Sequence, residues 1–226
     1  GGSIYATPVI DPKRHLLIFG TGNPSPQMAD ASRPGDNLHT SSLVALDLRT
    51  GKLVSYYQQV PHDRWGYDAA SSPVLLDLTV DGRPVPAVAQ AGKTGWVYVH
   101  DRRDGRLLLK SEAFVPQSNL FTPPQPGEGV LIAPGIAGGA NWSPSAYDPG
   151  RRLFYVGALH LPTRYIAHET TRPDGSMLQY ASTQNTAEAW GTLSAIDLAA
   201  GGRLRWQVKT DEPLIGGVLA TAGGLV

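Results

Sequence analysis

The chain has 226 residues, 41% of them hydrophobic, enough to bury a sizeable core in one or two ordinary domains. Its 19 Lys and Arg balance 19 Asp and Glu, so no long-range field draws it towards nucleic acid or anionic lipid. The absence of cysteine excludes disulfides, thiolate metal sites and cysteine nucleophiles, and no run approaches the roughly 18 apolar residues of a membrane helix. With 26 Gly and 19 Pro, the composition suits many short strands joined by turns.

In chain order, Asp11-Pro-Lys-Arg-His-Leu-Leu-Ile-Phe-Gly20 is a charged turn feeding an apolar strand, and the pattern returns as Asp148-Pro-Gly-Arg-Arg-Leu-Phe-Tyr-Val-Gly157. Ser42 to Asp47, Trp96 to Asp101 and Leu153 to Gly157 are short, apolar and bounded by turn residues, which predicts strands. A second repeat is an apolar strand ending in Asp with Gly four residues later: Asp47 with Gly51, Asp101 with Gly105, and Asp197 with Gly201. Each reads as a hairpin. Their spacing exceeds the roughly 40 to 50 residues of a simple blade repeat, so insertions are expected. Pro116 to Pro144 and His160 to Glu188 are predicted to be long loops. No window holds a 3.6-residue apolar period, so the fold class is all-β. Radial repetition of four-stranded blades, a β-propeller of which about four blades are represented, accounts for the repeats. Gly1-Gly-Ser opens directly into a strand and the last residues stop where one begins, so residues 1–226 are expected to be a partial domain truncated at both ends.

Several familiar patterns fail on context. Ala91-Gly92-Lys93-Thr94 ends like a phosphate-binding loop, but Ala87 stands where the first glycine is needed and a strand follows instead of a helix. Gly20-Thr-Gly22 lacks a third glycine and a βαβ unit. The six histidines, His15, His39, His62, His100, His160 and His168, show no metal-binding spacing and are expected mostly at the surface or in turns.

Four ordered segments carry a family resemblance: Gly20-Thr-Gly-Asn-Pro-Ser-Pro26 with Arg33-Pro-Gly-Asp-Asn37, Pro61-His-Asp-Arg-Trp-Gly-Tyr-Asp68, Gly92-Lys-Thr-Gly-Trp-Val-Tyr98, and Gly138-Gly-Ala-Asn-Trp142. Together they resemble the eight-bladed pyrroloquinoline-quinone (PQQ) dehydrogenases of alcohols, methanol and glucose, and the likeness continues to Val226. The resemblance implies PQQ held over Ca²⁺ or a lanthanide near the ring axis, oxidation of an alcohol or sugar hydroxyl, a cytochrome or quinone as electron acceptor, and a periplasmic or otherwise exported location. The balanced charge gives no expectation of a nucleic-acid partner.

By the same resemblance Asn23 is a metal ligand through its amide oxygen, where the bland alternative is an Asn-Pro turn. Lys93 is a cofactor contact, against the alternative of a solvated hairpin lysine. Asn141 and Trp142 are cofactor-pocket residues, with a core Trp as the competing reading. Tyr5 aligns where many members carry a Trp under the quinone. The main departure is Gly66. Relatives usually read Trp-Asp-Tyr-Asp where this chain reads Trp65-Gly66-Tyr67-Asp68, and the first Asp is both ligand and base. Asp68 is therefore the candidate for both roles, sharing a face with position 66 if the segment is a strand. Asp63 is held in reserve, with a structural hydrogen-bonding role as its alternative. Leu214-Ile215 stands where relatives tend to carry an aromatic residue. A dehydrogenase and a non-catalytic propeller, pseudoenzyme or protein-binding scaffold, are the two functional readings.

Overall fold

The computed structural model describes residues 1–226. Fifteen strands and one turn of 3₁₀ helix, Asp30–Ser32, are its regular elements, with no α-helix. In chain order the strands are β1 (Val9–Asp11), β2 (Leu16–Gly20), β3 (Ser42–Asp47), β4 (Leu53–Gln58), β5 (Val74–Val80), β6 (Arg83–Ala91), β7 (Val97–Asp101), β8 (Leu107–Lys110), β9 (Val130–Ile132), β10 (Ala146–Asp148), β11 (Leu153–His160), β12 (Thr163–Thr171), β13 (Met177–Asn185), β14 (Trp190–Asp197) and β15 (Arg203–Thr210). They form three four-stranded antiparallel blades, β1-β2-β3-β4, β5-β6-β7-β8 and β10-β11-β14-β15, and one three-stranded sheet, β13-β12-β9. The all-β propeller architecture matches the sequence expectation.

The sequence repeats are the blade turns. Oδ1 of Asp47, Asp101 and Asp197 accepts backbone N–H groups two or three residues on, turning the chain from β3 to β4, β7 to β8 and β14 to β15. All three pairings also slip by one residue just before the Asp, at 45/46, 99/100 and 195/196. Asp11 and Asp148 make the same local bonds in the β1–β2 and β10–β11 turns.

Blades stack face to face because their central strands are apolar on both sides. Along β6, Ala87, Ala89 and Ala91 face the third blade, where Phe154, Val156 and Ala158 of β11 meet them. Val88 points the opposite way, against Leu16, Ile18, Leu43 and Ala45 of the first blade. Arg102 adds a polar staple, pairing with Asp11 of the first blade at 2.7 Å.

One expectation is corrected. Residues 160–188 are not a loop: β12 and β13, nine residues each, form a hairpin, and β9, from the 116–144 insertion, completes its sheet. Thr, Tyr and Ile in β12 and the Pro173-Asp174-Gly175 turn carried that signal. It was masked because most of the hairpin is solvated and lacks a continuous apolar face. Four of the six histidines lie outside the core, His15 and His62 in turns at φ 55° and 48°, and the exceptions are His100 and His160, which are buried.

His100 lies in β7 with Nδ1 3.2 Å from the Gly105 carbonyl oxygen. Burial pushes its imidazole down to about 4 from 6.5. Between these values the unfolded chain takes up a proton that the folded chain refuses, so stability falls as pH drops through that window, and the group is silent above it. In the full-length protein, His100→Gln is expected to move the acid-unfolding midpoint to lower pH by removing an acid penalty of up to about 3 kcal/mol. Equal acid sensitivity in both proteins would contradict this.

Candidate functional site

Antiparallel blades send their connections to two ends. The short Asp turns close one end, while residues 1–8, 21–41, 59–73, 92–96, 111–145 and 161–189 gather at the other. Every sequence-predicted site residue lies at this second end.

Lys93 sits on the β6–β7 turn and is only 6% exposed. Its Nζ donates to Asp68 Oδ2 at 2.5 Å, to the Gly66 carbonyl at 2.8 Å and to the Ile136 carbonyl at 3.2 Å. The solvated-lysine alternative therefore fails. The turn is held from above by Gly139 N–H, which donates to the Lys93 carbonyl at 2.7 Å. A Cβ on Gly138 would stand 2.4 Å from Lys93 Cγ, so only glycine admits the lysine at that crossing. Asp68, 8% exposed, accepts the Asn23 backbone N–H on Oδ1 at 2.6 Å, so both its oxygens are engaged. Burial and the neighbouring Asp68 carboxylate push the Tyr5 phenol above its ordinary range, although half of the residue is exposed. Tyr5, Asn23, Asp68 and Lys93 are thus brought together.

Asn141 and Trp142 come to the same end by a different route. Ala140 N–H bonds the Gly92 carbonyl, and the Ser71 hydroxyl donates to the Asn141 carbonyl. The Asn141 carboxamide turns back to Ala137 at 2.9 Å and Trp142 is 58% exposed, so neither side chain joins the Lys93–Asp68 cluster and Trp142 is no core residue.

The segment bearing Gly66 and Asp68 is an irregular connection between β4 and β5, not a strand, so the shared-face argument does not apply. The segment is fixed instead by its neighbours. Trp65 Nε1–H donates to the Thr122 carbonyl, the Tyr67 hydroxyl to that of Pro134, and the Tyr165 hydroxyl to that of Trp65. Asp63 is fully buried and accepts the Ser41 hydroxyl and the N–H groups of Trp65 and Gly66. Burial raises its carboxyl above the usual range against those three donors. This is the structural role, out of reach of a substrate. Arg33, unremarked as a structural residue in the sequence, clamps the 23–41 loop on this connection by donating to the carbonyls of Pro26, Gln27 and Asp63.

The Asp68 carboxylate is a hard oxygen donor beside a buried ammonium, an arrangement that suits a cation and an electron-rich cofactor oxygen, while Asn23 meets it through its backbone N–H and turns its carboxamide N–H to the Pro24 carbonyl at 2.8 Å. No three His, Cys, Asp or Glu side chains converge, so Asp68 supplies only part of a calcium-type shell of about six to eight oxygens. Asp63→Ala would strip three buried donors of their acceptor and is expected to cost about 2–4 kcal/mol in chemical denaturation of the full-length protein, with Asp63→Asn costing less. Equal losses in the two variants would contradict the donor count.

The family model described as glucose/ethanol/alcohol dehydrogenase, beta-propeller domain, matches residues 2–121 and 115–216. Quinoprotein ethanol dehydrogenase from Pseudomonas aeruginosa is 32% identical over the whole chain, and a quinoprotein alcohol dehydrogenase from Pseudomonas putida is 33% identical over 96% of it. The chain spans 41% and 40% of the lengths of these two relatives. Among solved structures, the quinohemoprotein alcohol dehydrogenase of Comamonas testosteroni superposes with a TM-score of 0.82 at 28% identity, covering 99% of this chain and 37% of that one. A europium-containing methanol dehydrogenase gives 0.84 at 28% identity, over 99% and 42%. The ordered motifs, the blades and these matches agree, and the chain belongs to the β-propeller domain family of the PQQ-dependent glucose/ethanol/alcohol dehydrogenases.

Proposed function

We propose that the protein containing this chain is a quinoprotein dehydrogenase that oxidises an alcohol or sugar hydroxyl, and that the Lys93–Asp68–Asn23 cluster forms one wall of its cofactor and substrate site. The buried Lys93–Asp68 pair carries this reading. A propeller that only bound proteins on its loop end would have no reason to bury an ammonium and a carboxylate there, since removing both from water is costly unless the pair is used or fully compensated.

When bound, PQQ supplies the carbonyl that accepts the hydride, and Ca²⁺ or a lanthanide polarises it. Asp68 takes the hydroxyl proton as the carbinol carbon loses hydride and becomes a carbonyl. The Asp68 carboxylate and the Asn23 carboxamide would hold the cation, both being hard oxygen donors. Lys93 orients Asp68 and would supply a fixed positive charge to the cofactor's oxygens. Tyr5 and Trp142, both exposed at this end, offer aromatic faces to a planar ring, and Asn141 would add an amide to the same pocket. The electron acceptor is a cytochrome or quinone and the location periplasmic, both proposed from the family alone.

Gly66 supports a second reading, a quinone-binding propeller without turnover. Position 66 offers no side chain, and each Asp68 oxygen already accepts a hydrogen bond, which leaves only their remaining lone pairs for a substrate proton. The two readings separate in the full-length protein reconstituted with PQQ and either cation, followed by dye reduction on a panel of alcohols and sugars. Asp68→Ala is expected to lower kcat/KM about a thousandfold. Binding of PQQ without turnover on any substrate would favour the second reading. Lys93→Met is expected to weaken PQQ binding roughly 10- to 100-fold, read as quenching of tryptophan fluorescence. Unaltered affinity would remove Lys93 from the site.

A further inference from the structure

Gly66 leaves a space that another residue fills. Its φ is +84°, and a Cβ built there would lie 2.0 Å from Nε2 of Gln27, with Gln27 Cδ and Ile136 Cγ1 each at 3.1 Å. The carboxamide of Gln27 therefore occupies the volume that a side chain at position 66 would take. It is not there to bond the Gly66 backbone, whose N–H goes to Asp63 and whose carbonyl accepts Lys93. Gln27 is anchored at its base, because its own carbonyl accepts Arg33 Nη2 at 2.8 Å. Its carboxamide makes no hydrogen bond within the chain, and the residue is half-buried, open to a ligand.

We infer that the Gln27 carboxamide, set over Gly66 and beside the Lys93–Asp68 pair, binds the substrate hydroxyl. An amide both donates and accepts, as a hydroxyl does, and so can satisfy it in either sense. It stays neutral and takes up no proton, which leaves proton acceptance to Asp68 and gives Gln27 a role in orientation and alcohol selectivity. This inference rests on the dehydrogenase reading above.

The test uses the full-length protein loaded with PQQ and cation. Wild-type PQQ binding and turnover are measured first, and failure of both would sink the dehydrogenase reading and this inference with it. Gln27→Met keeps the volume over Gly66 and removes the hydrogen bond, while Gln27→Asn keeps the amide and withdraws it by one methylene. Gln27→Met is expected to raise KM for a primary alcohol about tenfold with a smaller change in kcat, and to weaken by the same factor the calorimetric binding of a tertiary alcohol, which carries the hydroxyl but no transferable hydride. PQQ affinity should hold, and Gln27→Asn should fall between the two. Unchanged KM and tertiary-alcohol affinity in both variants would overturn the inference while leaving the dehydrogenase reading intact. A fall in PQQ affinity with alcohol affinity preserved would also overturn it, assigning the amide to the cofactor.

Discussion

One ammonium organises the loop end of this propeller. Lys93 leaves the second blade on the β6–β7 turn, reaches the β4–β5 connection through Gly66 and Asp68, and touches the 111–145 connection through Ile136. A buried ammonium without partners costs several kcal/mol, so each of these oxygens is constrained by the need to satisfy it. The rest of the arrangement serves the same end. Gly138 and Gly139 press the lysine down from the next connection, and Asp68 is locked on its other oxygen by Asn23, which carries the first blade's loop into the cluster. Four connections, the β6–β7 turn among them, are thereby fixed at one point, although no secondary-structure element joins them there.

The blades matter to this as a platform. Face-to-face packing of alanine on β6 against Phe154, Val156 and Ala158 keeps two blades close, and close-packed interiors transmit position rather than absorb it. A second apolar cluster of Val60, Trp65, Tyr67, Ile132 and Tyr165 lies directly beneath the Gly66–Asp68 segment. The inserted β9-β12-β13 sheet contributes Ile132 and Tyr165 to it. The insertion is therefore the floor of the candidate site as well as a surface feature.

What the sequence made legible was local. An Asp that caps the turn it opens, followed by Gly with positive φ, signals itself within five residues, and all three such hairpins are present at Asp47, Asp101 and Asp197. The residues Asn23, Asp68 and Lys93 were found only because four motifs occurred in a family order. Nothing near Lys93 in sequence announces its burial, which comes from residues 25 to 43 positions away. The β12–β13 hairpin was missed because a solvated hairpin has no apolar stripe, and Asp63 became decidable only when its three donors were seen. Gln27 had no signal at all, since its significance depends on an absent side chain 39 residues later.

Gly66 is where family likeness and local chemistry part. The fold follows the quinoprotein pattern, while the proton acceptor we propose is a carboxylate already held by a backbone N–H and an ammonium. The account stands on that cluster facing a cation and a quinone. The most direct measurement is anomalous diffraction from crystals of the full-length protein loaded with PQQ and a lanthanide. The account expects the metal peak within bonding distance, about 2.3–2.6 Å, of the Asp68 and Asn23 side-chain oxygens. A well-occupied peak elsewhere, with Lys93 still bridging Asp68 and Gly66, would contradict it.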